Sequence, residues 1–229
     1  DVYPHNKNTV QVLARAAQGL FSLNKFALAA STSARVLTSG EASNKQKSVA
    51  YLIQGHSHFD LKQYQPAEVA YMAALTLKKV KASELKDVRE KLAASIYKQG
   101  VAWVEQGDLD KAVNDFMRVG EVVAESPIRI TAHYDAAAYL MKKQKWTRAE
   151  QILLSFRELF PKHKLAKDIP SKLIVAYENM SQWKKAAFEL QNIWRFGRDK
   201  EKQRIALFQA AEYYEKAEDI NNAMSMLKR

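Results

Sequence analysis

The sequence predicts an all-α fold, a solenoid of about six stacked helix hairpins. Three observations carry that prediction. The phrase Gly107-Asp108-Leu109-Asp110-Lys111-Ala112 returns as Gln144-Lys145-Trp146-Thr147-Arg148-Ala149, Ser181-Gln182-Trp183-Lys184-Lys185-Ala186 and Glu218-Asp219-Ile220-Asn221-Asn222-Ala223. Its closing alanines are a constant 37 residues apart, and a fixed period of roughly 20 to 50 residues is the signature of a repeat array. Glycine (7) and proline (5) are scarce in the 229 residues, which disfavours a sheet with many tight turns and favours helices joined by short loops.

Each phrase reads as a tight turn between two helices, its alanine opening the packed part of the second. Residues 1–8 are polar, contain a proline and read as a lead-in; the solenoid is expected to occupy 9–229 as a single domain. A helix starts near Thr9, with Val10, Leu13, Ala16, Ala17 and Leu20 on one face. Asn24-Lys25-Phe26-Ala27-Leu28-Ala29 is the first copy of the phrase, and its helix runs to about Leu37, with Gly40 as the expected C-cap. The next helix covers about 42–60. Lys62-Gln63-Tyr64-Gln65-Pro66-Ala67 is the second copy, with Pro66 near the helix start, where a missing N–H does little harm.

From Ala67 to Ala112 is 45 residues, so extra length is assigned to helices at about 66–81 and 83–106, with Ser83 as N-cap. A helix from Leu109 to about Ala124 is stopped by Ser126-Pro127, because the residue before proline is pushed away from helix. Pairs follow at 128–143 with 146–159, ended by Phe160-Pro161, and at 168–180 with 183–196, ended by Gly197. Pro170 should make its helix begin late or bend. The last pair begins near Asp199 and stops inside a helical pattern at Met224-Ser225-Met226-Leu227-Lys228-Arg229, read as a cut through a longer protein.

Hydrophobic residues make up 47%, enough for a packed core. Lys and Arg outnumber Asp and Glu by 36 to 25, a net +11 that suits acidic proteins, anionic lipid or nucleic acid as partners but does not bear on the fold. The absence of cysteine excludes disulfides, thiol catalysis and thiolate metal sites, and fits a bacterial envelope compartment. No apolar run approaches the ~18 residues of a membrane span, so no transmembrane segment is expected. Asp1-Val2-Tyr3-Pro4-His5 is not a signal peptide.

The positions resemble the tetratricopeptide repeat, a helix–turn–helix unit. Ile96, Gly100, Trp103, Gly107, Leu109, Ala112 and Phe116 fit its pattern. So do Ala136, Ala137, Leu140, Trp146, Ala149, Leu153, Phe156 and Pro161. Leu173, Tyr177, Trp183, Ala186 and Leu190 form the next set, and Ala210, Ala211, Tyr214, Ile220, Ala223 and Leu227 the last. The resemblance implies a right-handed solenoid whose first helices line a concave face. The 37-residue step and the Phe-Pro closure are similar to envelope and periplasmic members of the family, which implies a periplasmic setting, with the cytoplasm as the alternative. Independently, a lone hairpin cannot bury its apolar face, so stacking must supply the core. Small residues such as Gly55, Gly100 and Ala137 are expected to admit Tyr64, Trp103, Trp146 and Trp183 opposite them.

Chemistry is sparse. His56 and His58 are two apart, so they point to different sides of a helix and lack a third metal ligand. His5, His133 and His163 are isolated. No phosphate loop, dinucleotide fingerprint, zinc-protease motif or nucleophile elbow occurs. No catalytic, cofactor or metal site is expected, and the chain is read as no enzyme. Residues 142–204 hold 16 Lys+Arg against 7 Asp+Glu, and Lys142, Lys143, Lys145, Lys184 and Lys185 fall at turn positions as a basic edge. Without aromatic residues interleaved in that charge, nucleic acid is not an expected partner.

Extrapolating the family's register, the groove would be lined by Leu52, His56 and Phe59, then Tyr97, Val101 and Val104, then Tyr134, Ala138 and Met141, then Val175 and Phe208. That lining is apolar with aromatic anchors, as a peptide or helix groove requires. The sequence therefore points to a scaffold binding an unidentified protein partner in its groove, within an envelope complex. The alternatives are a structural segment whose groove is filled by its own chain or by self-association, and a basic edge that binds acidic protein or an anionic membrane surface.

Overall fold

The computed structural model describes residues 7–197 and 199–229. Among the described residues the chain forms twelve α-helices and no strand. They are α1 Lys7–Ser22, α2 Phe26–Thr38, α3 Asn44–Asp60, α4 Tyr64–Thr76, α5 Ala82–Glu105 and α6 Leu109–Val122, followed by α7 Ile128–Lys142, α8 Trp146–Leu159, α9 Ile169–Asn179, α10 Trp183–Phe196, α11 Lys200–Lys216 and α12 Ile220–Leu227. Consecutive pairs make six hairpins. The all-α repeat fold is therefore as the sequence predicts. Lys7 and Asn8 already belong to α1; the rest of the expected lead-in, with His5, lies outside the described residues, as does Arg198.

The contacts divide the chain into two compact units, Asp1–Arg129 and Ile130–Arg229. In the first, each of α1 to α6 packs on its neighbours, and α1 also reaches α3. Its buried clusters join Val10, Val36, Ala42 and Ala50, and Ala17, Ala29 and Ile53. In the second, Ala137, Leu153, Phe156 and Leu173 bring α7, α8 and α9 together, while Leu190, Ala206, Ala210 and Met226 join α10, α11 and α12. All six alanines that close the repeated phrase are buried.

Several helix ends differ from the sequence reading. α4 stops at Thr76 rather than about 81, because Lys78 turns left-handed (φ 51°). Ser83 lies inside α5; Lys81 holds the cap position, and its ammonium pairs with Glu84 at 3.2 Å. Gly40 is not the cap of α2, which ends at Ser39 with an extended backbone. The extra length in the third hairpin lies in α5, 24 residues long. Pro170 acts as expected: a 3₁₀ turn at Lys164–Asp168 precedes α9, and the proline sits in its first turn. Ser43 and Gln46 form a reciprocal capping box on α3 that the sequence reading missed.

The turns share one geometry. Five residues before each closing alanine stands a left-handed residue: Asn24, Lys62, Gly107, Gln144, Ser181 and Glu218, with φ between 53° and 81°. The next amide reaches back five residues, from Lys25 to Leu20, Gln63 to His58, Asp108 to Trp103, Lys145 to Leu140, Gln182 to Tyr177 and Asp219 to Tyr214. The left-handed residue's own amide bonds three residues back. Together these bonds close each first helix as a Schellman turn. Glycine, which adopts this conformation without a Cβ penalty, occupies the position only at 107. Ser181→Gly should therefore raise stability by about 0.5–1 kcal/mol, and Gly107→Ser should lower it by a similar amount. Denaturant melts of the two variants check this.

Large residues face the helix glycines, but not those the sequence suggested. A Cβ on Gly55 would stand 2.8 Å from the Tyr71 ring, and one on Gly100 would stand 2.8 Å from the Phe116 ring. Tyr71 and Phe116 are fully buried, whereas Tyr64 and Trp103 are half-buried. The facing residue lies four after the marker alanine, on its side of the second helix. Gly→Ala in an open helix gains roughly 0.5–1 kcal/mol from propensity, but overpacking costs about 1–3 kcal/mol. Gly55→Ala and Gly100→Ala are therefore expected to lose stability in urea titrations, by up to about 2 kcal/mol.

Candidate protein-binding surfaces

The residues expected to line a groove all lie outside the buried cores. In the first unit, Leu52, His56 and Phe59 on α3 and Tyr97, Val101 and Val104 on α5 are half-buried. In the second, Tyr134, Ala138 and Met141 on α7 are half-buried. Val175 on α9 and Phe208 on α11 are 40% and 55% exposed.

Most of the aromatic members already have partners within their own unit. Phe59 meets Tyr64 edge-on at 5.6 Å, and the Lys91 ammonium lies 4.6 Å from the Phe59 ring centre. Tyr97 tilts on Phe116 at 5.4 Å. Tyr134 packs edge-on against Phe156 at 5.8 Å, with the Lys172 ammonium 5.1 Å from its ring centre. Its hydroxyl donates to Asp168 at 3.4 Å, and its pKa is pushed up by burial and by that carboxylate. Tyr213 of α11 donates to Glu178 of α9; this bond and burial push its hydroxyl up to about 12. The first helices α9 and α11 are thus tied directly, and Val175 and Phe208 are the open apolar side chains.

The basic edge divides into two kinds of lysine. Lys142, Lys143 and Lys145, where α7 meets α8, are exposed, and among the described residues none has an ion-pair partner. Lys184 and Lys185 are committed, to Asp219 at 2.7 Å and Glu150 at 2.8 Å. The bond to Asp219 holds the Lys184 pKa up and the Asp219 carboxyl pKa down. The second unit also carries a concavity, between first and second helices, absent from the sequence reading. It has a volume of about 500 Å³ and is lined by Arg157, Tyr177, Lys185, Phe188, Glu189 and Tyr214. Finding it required the packing of α8, α9, α10 and α11, which no short motif records. Among the described residues no three His, Asp or Glu side chains gather to hold a metal, and no helix is long and apolar enough to cross a membrane.

Comparison with known proteins addresses the repeats directly. Sequence profiles of the tetratricopeptide repeat match residues 48–80 and 94–126. The chain is a tetratricopeptide-repeat protein. No curated protein matches it as a sequence relative. Among solved structures it is similar to one described as MamA MSR-1 C2 (20% identity, TM-score 0.39, covering 80% of this chain and 93% of that one). It is also similar to YrrB, described as a TPR protein with an unusual peptide-binding site (18%, 0.38, 85% and 89%). A third is BtubC from P. vanneervenii (13%, 0.43, 96% and 89%). The assignment rests on the two profile matches; tetratricopeptide repeats are protein-interaction modules, which makes a protein the class of partner.

Within the repeat matched at 48–80, His56 is held between aromatic rings. It lies 5.9 Å from the Phe21 ring and 5.3 Å from the Tyr71 ring, with Nδ1 2.9 Å from the Tyr71 hydroxyl. Burial lowers the His56 pKa below its ordinary 6.5, outweighing the attraction of Asp87. Tyr71, whose pKa is raised mainly by burial, keeps its proton, and its hydroxyl shares a hydrogen bond with the neutral imidazole. Because the folded value is the lower one, the unfolded chain takes up the proton first. Stability is therefore complete above about pH 6.5 and falls as the pH drops toward the folded pKa. Melts of wild type and His56→Gln between pH 7.5 and 5 should show a shallower acid loss in the variant.

Proposed function

We propose that this tetratricopeptide-repeat protein is a non-enzymatic scaffold whose first helices receive a peptide or helix of a protein partner, within a bacterial cell-envelope complex. The observation that carries the reading is the open apolar pair Val175 and Phe208 on α9 and α11. Exposed apolar side chains beside fixed polar groups mark interaction sites. Here Lys172, Glu178 and Tyr213 supply those groups, and the Tyr213–Glu178 bond sets the two helices before any partner arrives. A preformed surface spares the ordering cost of binding. The envelope setting is supported by the 37-residue step and the absence of cysteine.

The test is a crosslinking pulldown from the native host with three baits: wild type, Val175→Glu/Phe208→Glu, and Lys142→Gln/Lys143→Gln/Lys145→Gln. Both variants change exposed side chains, so circular dichroism should report an intact fold. The expected result is a partner captured by wild type and by the lysine variant but reduced at least about tenfold on the glutamate variant, which must bury unpaired charge. Loss on the lysine variant alone would move the binding surface to the basic edge.

A further inference from the structure

The second unit carries a further charged edge, at the end of its hairpins away from Lys142, Lys143 and Lys145. Two ion pairs fix which segments meet there. Glu150 accepts Lys185 at 2.8 Å and Glu189 accepts Arg157 at 2.7 Å, so α8 and α10 run side by side in the same direction. Their C-terminal ends therefore fall at one edge, together with the connections that lead into α9 and α11. The tight turns at Gln144 and Ser181 fall at the other.

Leu159 and Phe196 are the last residues of α8 and α10. Each stands ten residues beyond its marker alanine, Ala149 and Ala186, so the repeat register sets them at equivalent places in neighbouring hairpins. They are 48% and 72% exposed, and Phe196 is the most exposed large hydrophobic residue among those described. Cations surround them. Lys162, Lys164 and Lys167 lie in the connection to α9, and Lys200, Lys202 and Arg204 open α11, all exposed. Among the described residues, the one ion pair these six make is Lys202 with Asp199 at 3.8 Å. The Arg195 guanidinium lies 5.5 Å from the Phe196 ring centre. These cations outnumber Glu158, Asp168, Asp199 and Glu201, and two of those carboxylates are already engaged. Asp199 accepts the Glu201 and Lys202 amides at 3.0 and 3.1 Å as the cap of α11, and Asp168 accepts the Tyr134 hydroxyl.

We propose that this edge docks on an anionic lipid surface. The lysines and Arg204 meet headgroup phosphates, and Leu159 and Phe196 enter the boundary between headgroups and acyl chains. Charge alone would serve any polyanion. The exposed leucine and phenylalanine select a bilayer: an aliphatic side chain gains nothing from stacking on nucleic-acid bases, but it gains by leaving water for acyl chains. Both side chains end helices, and neither lines the concavity of about 500 Å³. This docking goes beyond the groove and does not rest on it.

Vesicle cosedimentation in about 0.15 M salt tests this, using phosphatidylcholine vesicles with and without about 30% phosphatidylglycerol. Wild type is compared with Lys162→Gln/Lys164→Gln/Lys200→Gln/Lys202→Gln, with Leu159→Ser/Phe196→Ser, and with Lys142→Gln/Lys143→Gln/Lys145→Gln. A labelled single-stranded oligonucleotide is the second probe. All these substitutions fall at exposed sites, and unchanged melting temperatures would show that folding is intact. Wild type should bind the anionic vesicles and not the neutral ones. The four-lysine and serine variants should each bind at least about tenfold more weakly. The third variant should stay close to wild type. The 14 residues of α8 hold its charges about 20 Å from the bilayer, beyond the screening length of about 8 Å. Wild type that ignores anionic vesicles overturns the proposal. An equal loss in the third variant overturns it as well, since binding would then follow overall charge. Undiminished binding by the serine variant does the same, because a purely electrostatic contact does not distinguish a bilayer from another polyanion. Capture of the oligonucleotide in place of vesicles, lost with the four lysines, would overturn it in favour of nucleic acid.

Discussion

One left-handed residue per repeat fixes how each hairpin is made. The chain must leave a first helix and enter a second within a few residues, and the Schellman bonds at 24, 62, 107, 144, 181 and 218 achieve this with one conformation. That turn places the marker alanine five residues later, where a small side chain is needed to bury the hairpin seam. The spacing from turn to alanine is invariant, whereas helix length is not: α5 absorbs the surplus of the third hairpin without disturbing its turn.

That division explains what was legible in the sequence. The alanine period survives because a larger side chain at a fully buried position would clash. The left-handed position is legible at Gly107 and, more weakly, at Asn24; Gln144, Ser181 and Glu218 tolerate the strain and carry no recognisable signal. Sequence reasoning set Tyr64 and Trp103 opposite Gly55 and Gly100, whereas Tyr71 and Phe116 occupy that space. The family pattern names large residues near the turn, but helix geometry chooses the one a turn further on. The capping box of Ser43 and Gln46 was present in the letters and went unread beside the apolar periodicity.

The surface was legible in outline. Register alone kept the groove residues out of the cores, yet it did not separate the engaged aromatics, such as His56 and Tyr134, from the open Val175 and Phe208. Counting charges grouped five lysines as one edge. Packing divides them, because Lys184 and Lys185 face carboxylates brought by other hairpins, and pairs 35 residues apart leave no mark in local composition.

The ion pairs of the second unit bear on how the chain opens. Glu150 and Arg157 of α8 reach Lys185 and Glu189 of α10 at 2.8 and 2.7 Å, straddling the intervening α9. Glu189 is almost fully buried, so separating the two helices would strand a carboxylate away from its cation. The first unit repeats the device: Arg118 of α6 joins Glu68 of α4 and Asp115, which also accepts the Trp103 indole N–H at 3.0 Å. A nearest-neighbour array can fray one hairpin at a time. Here, α9 cannot peel off alone while its flanking helices remain clasped, so neighbouring hairpins breathe as couples, and amide exchange in this part of the chain is gated in blocks longer than a single repeat.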